Sequence, residues 1–91
     1  MTGPADGEPV RAFLVSEILT APSFTELTTV GLALGLACAR LTASGSPVRL
    51  LATSYLHAQH RWLGLVLADD HESVHQAASI AQLVTFRVVE V

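Results

Sequence analysis

The chain has 91 residues and a formal net charge of -3, and 51% of its residues are hydrophobic. This composition excludes an intrinsically disordered protein, and the length predicts one domain. The five basic residues are all arginines scattered along the sequence, so the clustered positive surface that nucleic-acid binding requires is not expected.

Residues 1–10 (MTGPADGEPV) are rich in glycine, proline and acidic residues. They predict a disordered leader and lack the basic and apolar regions of a signal peptide. The longest apolar run, Val30–Ala39, has about half of the ~20 residues that a membrane span needs. We therefore expect a cytoplasmic protein with no membrane partner and a single domain over residues 11–91.

The first predicted elements are a strand and a long helix. Arg11–Leu19 is mostly apolar with imperfect alternation, which is typical of a strand partly buried on both faces. Ser23 and Glu26 have the spacing of a capping box and predict a helix over about residues 23–43. Gly45 stands where a helix end takes the left-handed conformation. A stripe at spacings of three and four shares one helix face: Leu27, Gly31, Leu34, Cys38 and Leu41.

The second half predicts a hairpin, a helix and a last strand. Val48–His57 and His60–Ala68 read as strands separated by only two residues, which indicates a tight antiparallel hairpin. Asp69 and Asp70 supply an N-cap for a second helix, and Leu83–Val91 reads as a strand. The residues that repeat at helical spacing in between are Val74, Ala77, Ala78 and Ala81.

The resulting order, β-α-β-β-α-β, is the ferredoxin-like pattern of an α+β protein with a four-stranded antiparallel sheet. Two helices cover only one face of such a sheet. Large apolar groups remain on the other face, and an exposed patch of that kind usually marks an interface. We expect a homodimer in which two copies bury these faces together as a dimeric α+β barrel.

A set of residues in the second half carries a family resemblance. The set comprises Ser54 and Tyr55 late in the second strand, Asp70, Val74 and Ala77 in the helix after the third, and the closing segment 87–91. In these features the chain resembles the domain-of-unknown-function 4242 family, small bacterial proteins often labelled nickel-binding. The resemblance spans about residues 12–91 and implies a ferredoxin-like dimer and metal binding.

The chain departs from this family at two positions. Many members have a cysteine where Gly64 stands and a polar residue, often histidine, where Ala78 stands. Both substitutions remove possible metal ligands.

Four histidines are the candidate ligands for nickel or zinc. Residues 71–75 (HESVH) fit the H-E-x-x-H pattern, but the motif opens its helix and the chain is too short for a protease cleft. His71 and His75, one helical turn apart, are more consistent with a two-histidine metal site. His57 and His60 flank the hairpin turn, where their rings either converge on a metal or are ordinary polar turn residues.

The barrel interior is a second candidate site. Projection with a period of two places several polar and aromatic residues on one side of the sheet. The predicted pocket residues are Arg49, Thr53, Tyr55, Trp62 and Arg87. An apolar space with a few polar groups is typical of a small-ligand pocket, whereas the same residue types are also enriched at dimer interfaces.

Three functions therefore compete. The family resemblance and the four histidines favour a small dimeric metal-binding protein without catalytic activity or an organic cofactor. The first alternative is a small-ligand binder, or a cofactor-independent enzyme of the monooxygenase or isomerase type, that uses the barrel interior. The second is a purely structural dimerisation module. Cys38, on the apolar helix stripe, is expected to be an inert core thiol.

Overall fold

The computed structural model describes residues 11–91, and the leader predicted over residues 1–10 lies outside this range. The strands and helices alternate in the predicted β-α-β-β-α-β order. In chain order they are β1 (Arg11–Ile18), α1 (Phe24–Ala43), β2 (Val48–Leu56), β3 (Arg61–Ala68), α2 (His71–Ile80) and β4 (Arg87–Glu90).

The four strands form one antiparallel sheet in the order β2-β3-β1-β4. The two central strands pair over their full length, from Arg11 opposite Ala68 to Ile18 opposite Arg61. The predicted α+β class and four-stranded antiparallel sheet are therefore confirmed. The arrangement is consistent with the ferredoxin-like pattern.

Local signals in the sequence define both ends of α1. The Ser23 hydroxyl accepts a hydrogen bond from the Glu26 amide at 3.1 Å, and the Glu26 carboxylate accepts one from the Ser23 amide at 3.2 Å. The predicted capping box is thus confirmed. Gly45 has a φ of 103°, the left-handed conformation predicted for the helix end.

Helix α1 packs one side against the sheet through Leu34, Ala37 and Cys38, which are all buried. By length and composition alone, α1 would also be able to cross a membrane. Core helices of soluble proteins meet the same criterion, so this property does not distinguish the two cases.

Helix α2 begins where the sequence predicts. Asp70 is its N-cap, and the Asp70 carboxylate accepts a hydrogen bond from the Ser73 amide at 2.8 Å. The helix buries Val74, Ala77 and Ala78 against the sheet. The core therefore lies between the two helices and a single face of the sheet. Its largest fully buried side chains are Trp62, Phe13, Leu34, Val15, Val66 and Val74.

The connection between β2 and β3 is longer than the predicted two-residue turn. Residues His57–Gln59 form a short 3-10 turn, and His60 follows in the left-handed region with a φ of 53°. Four residues, 57–60, therefore lie outside the paired strands.

The last strand is shorter than predicted and comprises only Arg87–Glu90. The Leu83 amide donates to the Ala78 carbonyl at the end of α2. The next two amides, of Val84 and Thr85, donate to the side chain of Glu17. These backbone donors are used outside the sheet, and strand pairing therefore begins later.

Candidate functional site

The helices cover the face of the sheet that carries Trp62. Along β3 the side chains alternate: Trp62 and Val66 are buried, whereas Leu63 and Leu65 between them are partly exposed. The prediction that Trp62 lies on the uncovered face is therefore wrong. Alternation shows which residues share a face, but the packing of the helices decides which face is covered.

The uncovered side, which we name the open face, follows from the strand register. It is formed by Ala12, Leu14, Ser16 and Ile18 of β1, Arg49, Ala52, Ser54 and Leu56 of β2, Arg61, Leu63, Leu65 and Leu67 of β3, and Arg87 and Val89 of β4. Its centre is apolar and its polar groups lie towards the edges.

A β-bulge at Leu51 divides the predicted pocket. Before the bulge Arg49 is paired with Leu67 and lies on the open face. Beyond it, Thr53 and Tyr55 lie on the side that the helices cover. The predicted grouping of Arg49 with Thr53 and Tyr55 is therefore wrong. Projection with a period of two assumes an uninterrupted strand, whereas the extra residue of a bulge moves the residues after it to the opposite side of the sheet.

The two remaining pocket residues, Trp62 and Arg87, are also separated by the sheet. Trp62 is only 2% exposed in the core, whereas Arg87 is exposed on the open face opposite Ser16. The Tyr55 hydroxyl donates a hydrogen bond to the Leu19 carbonyl at 2.6 Å and so ties β2 to the end of β1. Of the predicted pocket, only Arg49 and Arg87 therefore lie on the open face.

One end of the open face carries a polar group that sequence reasoning missed. Arg61 donates a hydrogen bond from Nη1 to the Ser16 hydroxyl at 3.4 Å, and Arg87 stands opposite Ser16 in the neighbouring strand. We name these three residues the arginine end. The signal was present in the sequence, since Arg61 shares the period of two of Leu63 and Leu65, but Trp62, on the other side of the strand, was expected on the uncovered face.

The arginine end adjoins an apolar floor. Leu14, Leu63 and Leu65 line a shallow depression together with the residues around Ala52 in β2. Leu67 continues the row of leucines along β3. The open face thus combines an apolar surface with positively charged groups at its margin.

The open face has an unbalanced charge. Over residues 11–91 its side chains include three arginines and no carboxylate. The one salt bridge in that same range joins Arg11 to Glu90, so neither Arg61 nor Arg87 is paired with an acid there. The unbalanced positive charge is available to an anion.

His71 and His75 lie on one exposed face of α2, as predicted. Their ring centroids are 6.3 Å apart. The His75 ring contacts the edge of Phe86 at 4.9 Å between centroids, and the His71 ring lies 6.2 Å from that of Phe13. Both rings therefore lie beside aromatic side chains, Phe13 in β1 and Phe86 just before β4.

His57 and His60 occupy the exposed turn between β2 and β3. The His57 ring packs against Tyr55 with the ring centroids 4.9 Å apart. No group of three or more metal-ligating side chains is gathered in the part of the chain that the structure describes. The metal-binding roles of these four histidines remain predictions.

Two carboxylates near the start of α2 have structural partners. Glu90 accepts two hydrogen bonds from Arg11, at 2.6 and 2.7 Å, and the hydrogen bonding lowers the pKa of Glu90. Hydrogen bonds from the Ser73 amide and hydroxyl lower the pKa of Asp70. Both groups therefore hold elements together: Glu90 joins β4 to β1, and Asp70 caps α2.

Glu17 is a buried carboxylate, with 6% of its surface exposed. It accepts hydrogen bonds at 2.9 Å from the amides of Val84 and Thr85, and at 2.7 Å from the Thr85 hydroxyl. Glu17 thus fixes the segment between α2 and β4. Its partners are all groups of the protein, which assigns it a structural role.

Cys38 is buried beneath α1, as predicted for a core thiol. Burial raises its pKa to about 11. The thiolate that would act as a nucleophile or metal ligand is therefore scarce at neutral pH.

The two positions at which the chain departs from the resembled family both face the core. Ala78 is fully buried, and a β-carbon at Gly64 would point towards Trp62 and Leu34. A larger polar side chain at either position would therefore point into packed apolar groups.

Comparisons of the chain with models of known protein families, with curated proteins and with solved structures give no match. The resemblance to the domain-of-unknown-function 4242 family remains a prediction. Function is therefore argued from the geometry.

Proposed function

We propose that this protein binds a small, largely apolar molecule on the open face of its sheet, without catalysing a reaction. The observation that carries the proposal is the floor of leucines, Leu14, Leu63 and Leu65, which the helices leave uncovered around a shallow depression. Ligand sites are concave and mostly apolar, with a few polar groups that orient the ligand. The open face has this composition.

We further propose that a second copy closes the site. One sheet face gives a ligand contact on one side only, whereas ligand pockets bury most of the ligand surface. Two identical open faces related by a two-fold axis form an isologous interface. This assembly would complete the ferredoxin-like fold as a dimeric α+β barrel with the ligand between its two sheets.

Sedimentation equilibrium and a neutral fluorescent probe, N-phenylnaphthylamine, test this proposal. The wild-type protein is expected to be a dimer at micromolar concentration and to enhance the fluorescence of the probe. Leu65→Lys places a charge in the middle of the open face and should produce monomers that do not bind the probe. Leu32→Lys is the matched control, because Leu32 lies on the outer side of α1 and is 63% exposed.

The outcomes separate the alternatives. A monomeric wild-type protein that does not bind the probe would contradict the proposed function. A dimer that Leu65→Lys dissociates, but that does not bind the probe, would leave a purely structural dimerisation module. A dimer that withstands Leu65→Lys and is dissociated by Leu32→Lys would place the interface on α1.

A second candidate function, binding of nickel or zinc, is favoured by His71 and His75. Their rings stand on one exposed side of α2 with centroids 6.3 Å apart, and imidazole is a good ligand for both metals. Isothermal titration with each metal should give heat that His75→Ala abolishes and His60→Ala, in the β2–β3 turn, leaves unchanged. Absence of heat with the wild-type protein would rule out this function.

A further inference from the structure

We infer that the ligand of the open face is an amphipathic anion whose acidic head binds at the arginine end, between Ser16, Arg61 and Arg87. This inference rests on the proposed function and adds the chemical class of the ligand. It depends on two observations that the proposed function does not use: the sign of the charges on the open face and their position relative to the leucines.

The charges of the open face have a single sign. Arg49, Arg61 and Arg87 lie on it, and over residues 11–91 it carries no carboxylate. The acidic groups close to the sheet point elsewhere, since Glu17 is buried beneath the helices and Glu90 is paired with Arg11. An apolar ligand without charge would leave these arginines without a counter-charge.

Closure by a second copy increases this imbalance. In a two-fold dimer each open face would bring the same three arginines to the margins of the shared interface. Charges removed from water are costly unless they are paired. An anion between the sheets supplies the missing partner, and a mixture of apolar surface with unpaired arginines therefore selects an anionic ligand.

The arginine end has the groups that bind a carboxylate or a similar oxyanion. Arginine donates several N–H groups in a planar fork that matches carboxylate geometry. Arg61 already donates to the Ser16 hydroxyl at 3.4 Å, and Arg87 stands opposite Ser16 on the neighbouring strand. Ser16, Arg61 and Arg87 therefore occupy neighbouring positions on three adjacent strands.

The apolar part of the ligand is expected to lie along β3. Leu63, Leu65 and Leu67 follow one another away from the arginine end, and Leu14 widens the floor beside them. At ~3.4 Å per residue, the row of leucines extends for about 14 Å. This arrangement suits a head group on one end of an unbranched or flat apolar body.

Displacement of N-phenylnaphthylamine by two ligands with the same chain, decanoate and decanol, tests the inference. With the wild-type protein, decanoate should displace the probe at a concentration about ten-fold lower than decanol, because hydrogen bonds to a charged group are stronger than neutral ones. This preference should fall as salt is added, since ions screen exposed charges. Both ligands are used below the concentrations at which they form micelles or droplets.

Substitutions locate the head group. Arg61→Gln and Arg87→Gln should each reduce the preference for decanoate several-fold and leave the affinity for decanol unchanged. Arg40→Gln is the control for net charge, because Arg40 lies exposed in the last turn of α1, on the other side of the sheet. Circular dichroism of each variant verifies that it folds.

The inference and the proposed function fail in different ways. Equal displacement by decanoate and decanol would overturn the inference and leave an apolar ligand on the open face. A preference for decanoate that survives both arginine substitutions would overturn the assignment of its head to the arginine end. A wild-type protein that does not bind the probe would overturn the proposed function itself. If neither arginine variant folds, the wild-type protein still decides the ligand class. The deciding quantities are the ratio of the decanol and decanoate concentrations that displace the probe and the dependence of this ratio on salt.

Discussion

Trp62 lies over the backbone of Gly64, two residues further along the same face of β3. A β-carbon at Gly64 would be 2.9 Å from Cη2 of Trp62 and 3.2 Å from Cζ3. The glycine is therefore required by the bulk of the indole. Without a side chain at this position, the indole occupies the space over Gly64, where Leu34 of α1 also packs.

Gly64→Ala should lower the free energy of unfolding by about 1–3 kcal/mol, because the added methyl group overpacks the space beside Trp62. Urea denaturation measures this change. Gly31→Ala is a control of opposite sign, since a β-carbon there meets the Thr53 methyl group at an ordinary 3.7 Å. It should stabilise α1 by about 0.5–1 kcal/mol. An unchanged free energy of unfolding in Gly64→Ala would contradict the packing described for Trp62.

Glu17→Gln should destabilise the protein by about 1–3 kcal/mol. The Glu17 carboxylate accepts three hydrogen bonds from Val84 and Thr85, whereas an amide has one acceptor oxygen and turns an N–H group towards a donor. Amide hydrogen exchange at Val84 and Thr85 should accelerate. In Glu72→Gln, a change at an exposed site, stability should stay within ~0.5 kcal/mol of the wild-type value. Unchanged exchange at both amides would contradict the hydrogen bonds assigned between Glu17 and this segment.

Stability should decrease as the pH falls below about 4, the ordinary range for aspartate and glutamate. The pKa values of Asp70 and Glu90 are lowered by their hydrogen bonds. A lowered folded-state pKa stabilises the protein above the unfolded pKa, and this contribution is lost as the pH falls through the folded value. The melting temperature, measured between pH 6 and pH 2, should fall less steeply with decreasing pH in Asp70→Asn and in Glu90→Gln than in the wild-type protein. A decline as steep as that of the wild-type protein would contradict this linkage.

Cys38 should react slowly with an aromatic disulfide reagent in the native protein. Burial raises the pKa of this thiol to about 11, so at pH 8 about a thousandth of it is ionised. In denaturant the same thiol should react at the rate of a model peptide, which provides the internal control. Equally fast reaction of the native protein would show that Cys38 is accessible.

The elements that sequence predicted best depend on short-range chemistry. The capping box of Ser23 and Glu26 and the N-cap at Asp70 involve residues three apart, and both formed as expected. The start of β4 was predicted less well, because Glu17, distant in sequence, holds the segment before it. Local patterns contain no information on such a long-range partner.

The candidate site shows the same division. Strict alternation along β3 separates Arg61 and the leucines from Trp62, whereas the same rule applied to β2 wrongly groups Arg49 with Thr53 and Tyr55. A single bulge at Leu51 reversed the facing of β2, and no residue in that strand marks it. The sequence could therefore predict which residues of one uninterrupted strand share a side, but not which residues of different strands form one surface.

The sequence by itself determined the number, kind and order of the strands and helices, because capping, periodicity and turn residues act within a few positions of the chain. The tertiary structure decided which side of the sheet the helices cover. That choice depends on the packing of Trp62 over Gly64 and beneath α1. The positions of the arginines follow from it, because they lie on the side opposite the packed apolar groups. These are contacts between segments far apart in the chain, and they place the leucines and three arginines together on the open face.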